Sequence, residues 1–232
     1  ETVGEDSYSR NGVVMIRHEA ERHALAVRVE MAEVRQLRAA LDRIARMFDL
    51  SADGEAIAAH LERSPVLKPV VERFRGVRLP GCWDPFELCI RAILGQQVTV
   101  KGAATLLERL VAQFGPPRAE VLAEAPVERI GLPGKRAETI RALAAAVSDG
   151  SIRFEEAAEL RERLLAVPGI GPWTADYVLM RTVKAPDAFP AGDLGLRKAA
   201  GNVTEKELMR MAEAWRPWRA YAAFYLWRSL EA

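Results

Sequence analysis

The run Leu165-Ala166-Val167-Pro168-Gly169-Ile170-Gly171-Pro172-Trp173-Thr174-Ala175-Asp176-Tyr177, with Asp193 following in a Gly-Asp turn, holds the residues best suited to chemistry in this chain. Pro168-Gly169 suits the end of one helix, and Gly169 and Gly171 can both take positive φ. Pro172 suits the first position of the next helix. That helix would begin with unpaired amides, the positive end of its dipole and the Thr174 hydroxyl, which together make an anion site. An ordinary turn between two helices uses the same residues, so both readings stand. Trp173 and Tyr177 lie four apart and share a helix face, either as core or as a wall on which a nucleobase stacks. Asp193 is placed to cap a short helix, and a cap would also fix its carboxylate at a loop edge.

Two further segments offer side chains to such a site. Arg91-Ala92-Ile93-Leu94-Gly95-Gln96-Gln97 ends a helix with two amides. They are either surface residues or side chains able to fill the gap left by an extruded nucleotide. The run from Trp215 to Trp227 is dense in aromatics; Trp215 and Trp218 are expected in the core, and Trp227 has no obvious place from periodicity alone. Among other acids, Asp149 belongs to turn chemistry, Asp176 to another helix face and Asp187 to a loop. No His pairing and no cysteine cluster has the spacing of a transition-metal or iron–sulfur site. His18, His23 and His60 lie far from these motifs in the chain and read as surface or structural.

These residues must be held by a fold. The chain has 232 residues, half of them hydrophobic and 28% charged, which is a globular profile with ample material for a core. No apolar run reaches the length of a membrane span, and two cysteines point to no oxidising compartment, so the cytoplasm is the expected location. A net charge of +1 neither announces nor excludes a nucleic-acid partner, because backbone amides can grip phosphate without many cations. The chain opens without Met, so its start is expected to be processed or cut from something longer.

Two strands are predicted at 12–17 and 24–29, then a helix through residue 49. Further helices are predicted near 53–61, 65–74, 84–96, 100–114, 135–148, 155–165, 172–184, 204–214 and 217–230. The Pro and Gly breakers place a boundary at 77–81. The expected fold class is α+β, mostly α: an N-terminal α/β part over 1–77, then an all-helical part over 78–232 with the helix–hairpin–helix at about 157–184.

At these residues the chain resembles the helix–hairpin–helix DNA glycosylase superfamily, and within it the bacterial 3-methyladenine DNA glycosylase II family. The resemblance runs through Arg78-Leu79-Pro80-Gly81-Cys82, Asp84-x-Phe86-Glu87, Arg91 to Gln96, the hairpin at 167–177, Asp193, and Trp215-x-Pro217-Trp218-Arg219-x-Tyr221 to Trp227. It implies that Asp193 is the essential carboxylate and that Trp173, Tyr177 and Trp227, with Leu194 beside Asp193, form the base pocket. Gly169, Gly171 and Thr174 become a phosphate clamp, with Gln96 and Gln97 on the DNA and Gln97 at the wedge position. Carbonyls of Leu165, Val167 and Ile170 match ligands of a structural Na+ or K+; no cofactor is implied for catalysis. Leu194-Gly195 are smaller than in some relatives, which suggests a roomier pocket. The family's N-terminal part usually carries more strand, in keeping with a missing start.

Relatives that also cut the strand carry Lys where this chain has Trp173, so the resemblance implies a monofunctional enzyme. Its expected partner is double-stranded DNA bearing N-alkylated purines, and a monomer is expected. Two alternatives stay open. One is a non-catalytic module that binds damaged or junction DNA through the same hairpin; the other is a glycosylase for deaminated or oxidised bases.

Overall fold

The computed structural model describes residues 12–31, 33–155 and 157–230. Strands β1 (Gly12–Glu19) and β2 (Ala24–Met31) pair antiparallel, with Val14 opposite Val29 and Ile16 opposite Val27. Both run two residues beyond the predicted limits. The face bearing Val14 packs on Ala40 and Ile44 of α1 (Leu37–Met47), which supplies the apolar cover that a lone hairpin needs.

The rest is helical: α2 (Gly54–Leu61), α3 (Lys68–Arg73), α4 (Pro85–Leu94), α5 (Val100–Phe114), α6 (Ala119–Leu122), α7 (Gly134–Ser148), α8 (Ala157–Leu165), α9 (Pro172–Thr182), α10 (Leu194–Ala199), α11 (Glu205–Ala212) and α12 (Arg219–Ser229). Side-chain caps written in the sequence set five of these starts. Asp53, Asp84, Thr99, Asp193 and Thr204 each accept a backbone N–H three residues on. The four-residue α6 was not foreseen, because so short a helix carries too little periodicity to be read.

Two hydrophobic clusters fill the helical body. The first joins Ile90 and Ile93 of α4, Leu110 of α5, Ile140 and Leu143 of α7, and Leu160 and Leu164 of α8 to Val178 and Leu179 of α9. The second joins Ile57 and Leu61 of α2 and Val71 of α3 to Met180 of α9, Leu196, Leu208, Trp215, Tyr225 and Leu226. Packing therefore runs across the expected boundary at 77–81, since α2 and α3 need the apolar face of α12 to be covered. Helix α9 serves both clusters. Its remaining face, carrying residues 173, 177 and 181, is left for the cleft between them.

A polar hub ties residues 78–81 to this frame. Asp49 is buried, and its Oδ2 accepts from Leu79 N at 3.0 Å and from the Tyr221 hydroxyl at 2.7 Å. Lys184 donates to the Leu79 carbonyl, and Gly81 N donates to Met47 O at 2.7 Å. Burial pushes the Lys184 pKa down to about 8, with nearby Asp49 opposing the shift.

This has a definite sign. Below pH 8 the lysine is charged in both folded and unfolded chains. Between pH 8 and its unfolded value of 10.5 the folded protein sheds the proton first, so stability rises with pH. Cys82, pushed up to about 11 by burial, works the other way from pH 9 upward, where the unfolded thiol ionises first. The wild type should therefore gain melting temperature relative to Lys184→Met as pH rises from 7.5 to 9. Parallel curves for the two proteins would contradict it.

Candidate active site

The turn between α8 and α9 is built on two anchors. Ile170 is buried, its amide bonding Val167 O at 3.1 Å, and Gly169 takes φ 89. A Cβ at Gly169 would press into the Thr139 hydroxyl and lie 3.1 Å from its Cβ, so glycine is required by space as well as by φ. Gly171 differs from expectation: its φ is −93 and ψ 176, extended backbone open to any residue. What its missing side chain provides is open approach, with nothing within 4 Å of a Cβ placed there.

The first intrahelical bond of α9 runs from Ala175 N to Gly171 O at 3.0 Å. The amides of Trp173 and Thr174 precede it and have no acceptor in their own helix. The Thr174 side chain, however, does not join them toward an anion. It is 3% exposed, and its Oγ1 accepts from Gln96 Nε2 at 3.1 Å. The same Gln96 Nε2 donates to Gly169 O at 3.2 Å. Gln96 and Thr174 thus brace the hairpin from within, because the end of α4 packs directly against it. Gln97 is the exposed member of the pair, turned outward by a left-handed backbone at φ 56.

Asp193 lies across the cleft from α5. Its Oδ1 accepts from Leu196 N at 2.8 Å and from Trp227 Nε1 at 2.9 Å; its Oδ2 accepts from Trp173 Nε1 at 2.9 Å. Three N–H groups from three elements therefore fix the plane of the carboxylate, and Oδ2 keeps a lone pair for a further partner. The two indoles act through their N–H as well as their rings, a role that sequence spacing did not show.

Around it the aromatics form a connected wall. Trp173 and Tyr177 stack with ring centres 5.3 Å apart and planes 6° off parallel. Tyr177 meets Trp227 edge-on at 6.4 Å, and Phe224 meets Trp227 at 5.1 Å. They border an open cleft of about 740 Å³ that Ala92, Val98 and Val100 also line. Such a space accepts a flat, purine-sized group.

Leu194 was expected in this pocket but stands 74% exposed outside its lining, because as first residue of α10 it points away from the carboxylate it follows. Gly195 gives its space to the carboxylate: a Cβ there would lie 3.0 Å from Asp193 Oδ1 and 3.5 Å from Trp227 Cδ1. Phe224 and Arg181 line the cleft and were missed. Both had a signal, Phe224 three residues before Trp227 and Arg181 four after Tyr177.

The other acids are engaged elsewhere. Asp176 pairs with Arg161 at 2.7 Å, Asp187 with Arg219 at 2.7 Å, and Asp149 accepts from Ser151 N. Trp215 is buried and donates to Ser64 Oγ at 3.0 Å. Among the described residues, no group of His, Cys, Asp and Glu could hold a metal ion, and no helix is long and apolar enough to cross a membrane.

Comparison with known proteins identifies the family. Residues 90–219 match the family described as HhH-GPD superfamily base excision DNA repair protein, and residues 2–84 match the AlkA N-terminal domain. The chain is 41% identical over 219 residues to a probable bifunctional transcriptional activator/DNA repair enzyme AlkA of Mycobacterium tuberculosis, covering 86% of this chain and 44% of that protein. The chain thus spans less than half the length of that relative. It is 31% identical over 251 residues to DNA-3-methyladenine glycosylase 2 of Escherichia coli K12, covering 98% of this chain and 87% of that one. Among solved structures, the Schizosaccharomyces pombe 3-methyladenine DNA glycosylase in complex with abasic DNA superposes with a TM-score of 0.68 at 26% identity, covering 76% of this chain and 97% of that one.

Proposed function

We propose that this chain, which belongs to the HhH-GPD superfamily of base excision DNA repair proteins and within it to the 3-methyladenine DNA glycosylase II family, is a monofunctional DNA glycosylase for N-alkylated purines. The observation that carries the reading is the Asp193 carboxylate, held by two indole N–H groups at the edge of an aromatic cleft. A cap alone needs neither indole.

In this reading the open turn at Gly171 and the amides of Trp173 and Thr174 receive a backbone phosphate of double-stranded DNA. Gln97 enters the gap as the nucleotide swings out, and the base enters among Trp173, Tyr177 and Trp227. Carbonyls of Leu165, Val167 and Ile170 would hold a structural Na+ or K+; three neutral oxygens suit such an ion, and Val167 O keeps a lone pair beyond its bond from Ile170 N. That ion would stiffen the turn and take no part in the reaction.

The reaction is hydrolysis. The C1′–N bond breaks and its electron pair leaves with the base, while positive charge grows on the sugar and is stabilised by Asp193. A water oxygen bonds to C1′, and its proton passes to Asp193 and then to solvent. An alkylated purine starts cationic and leaves neutral, so it needs little acid assistance. Electron-rich indole and phenol faces also favour a cation. With Trp173 where a Schiff base would need an amine, the strand remains uncut. The reading implies work as a monomer in the cytoplasm.

A panel of duplexes carrying 3-methyladenine, 7-methylguanine, ethenoadenine or hypoxanthine tests it. Release of the methylated purines without a borohydride-trapped adduct is expected. Tight binding to abasic DNA with no release from any duplex would instead leave a binding module, and a trapped adduct would overturn the monofunctional assignment.

A further inference from the structure

We propose that Arg181 and Asp193 form a fixed electrostatic couple along the cleft, arranged to drive positive charge off the base and onto the sugar. The inference rests on the glycosylase reading and adds a residue to it that the motifs did not single out.

Residues 173, 177 and 181 recur every four positions, so they lie on one face of α9 and span about 12 Å along it. Asp193 is fastened at one end of this wall, through Trp173 Nε1 at 2.9 Å. Arg181 is fastened at the other, its Nη1 donating to the Tyr177 hydroxyl at 2.6 Å and its Cζ lying 5.4 Å from the Tyr177 ring centre. Its Nε and Nη2 donate to the carbonyls of Pro80 and Gly81 at 2.5 and 3.3 Å. All of these partners are neutral, so the guanidinium is rigid without being neutralised. Both Arg181 and Asp193 line the same cavity. Arg91 and Arg228 line it as well, but at exposed positions, where solvent weakens their field.

A cation beside a pocket for cationic bases opposes ground-state binding. Its benefit lies in the reaction. As the C1′–N bond breaks, the base end of the substrate becomes more negative by one electron pair's share, and the sugar end more positive. A positive charge at the base end and a carboxylate at the sugar end both favour that movement. Because both are already held in place, no reorganisation is needed as the charge shifts. For a cationic purine Arg181 raises the bound state and lowers the barrier. For a neutral base it only lowers the barrier.

The test compares wild type, Arg181→Gln and Arg181→Lys in two measurements. One is single-turnover release from duplexes bearing 7-methylguanine or ethenoadenine, a neutral alkylated purine. The other is binding to a duplex bearing 2′-fluoroarabino-7-methylguanine, which resists cleavage. Arg181→Gln is expected to release both bases about tenfold more slowly, as an unscreened charge beside a partly buried site would predict. It should at the same time bind the cationic duplex about threefold or more tighter. Arg181→Lys keeps the charge and should stay within about threefold of wild type in both measurements. Slower release with weaker binding in Arg181→Gln, or an Arg181→Lys as slow as Arg181→Gln, would make the residue a mere brace and overturn the couple. Wild-type release with an unchanged Arg181→Gln would overturn it too, leaving the glycosylase reading intact. No release by wild type would remove both.

Discussion

Asp193→Asn is expected to slow base release from methylated duplex DNA by about 10³-fold or more while leaving the fold in place. The two parts of this expectation separate because Asp193 has two tasks. Asn is as good a helix cap as Asp, so the bond from Leu196 N can be kept by its carbonyl oxygen. That oxygen can also keep Trp227 Nε1, but the amide nitrogen must then face Trp173 Nε1, donor against donor. The side chain is neutral and its remaining acceptor is gone, so charge on the sugar is no longer met. Thermal denaturation should show a cooperative transition with a melting point lowered by only a few degrees, and single-turnover kinetics the loss. Release near the wild-type rate would remove Asp193 from the reaction.

Gly169→Ala is expected to cost about 3 kcal/mol of stability and to abolish tight binding to an abasic duplex. Two penalties coincide at this position. Its φ of 89 strains any residue with a side chain, and the added methyl would collide with Thr139, which is buried in α7 and bonded to Lys135 O at 3.0 Å. The turn must move, and with it the amides of α9 and the carbonyl that Gln96 grips. Thr139→Ala alone should be mild. In the double variant the collision with the hydroxyl is relieved while the 3.1 Å contact with the Cβ at position 139 and the φ strain remain, so about a third of the loss should return. Denaturant titration and fluorescence anisotropy measure the two effects. No recovery in the double variant would mean that the Thr139 hydroxyl is not what makes Gly169 necessary.

Much of this could be read along the chain because its signals are local. Caps, prolines at first turns and apolar stripes placed nearly every helix from α1 to α12. Gly169, Trp173, Tyr177 and Asp193 could each be singled out from immediate neighbours. What went astray turned on exact local direction in two cases and on a distant partner in a third. Gly171 looked like a second left-handed glycine, but only one is needed to turn this hairpin. Gln96 and Thr174 looked like DNA-facing side chains, but Gln96, just past the end of α4 and 78 residues before Thr174, is bonded to the hairpin. Leu194 looked like pocket lining because it adjoins Asp193 in sequence, and the direction of the α10 start sends it outward.

The sequence by itself therefore determined the parts: a helical chain, a turn open at one amide cluster, an aromatic face on one helix, and a carboxylate fixed by its own cap. Tertiary structure decided what those parts do together. It packed α9 between two cores so that its third face became a cleft wall, and it brought Trp227 from α12 to share Asp193 with Trp173. It also set Arg181 at the far end of that wall. The physical reason is range. Capping, turns and helical periodicity act over a few residues and are written in order, whereas hydrogen bonds to one carboxylate from residues 173 and 227 exist only once burial has chosen which helices meet.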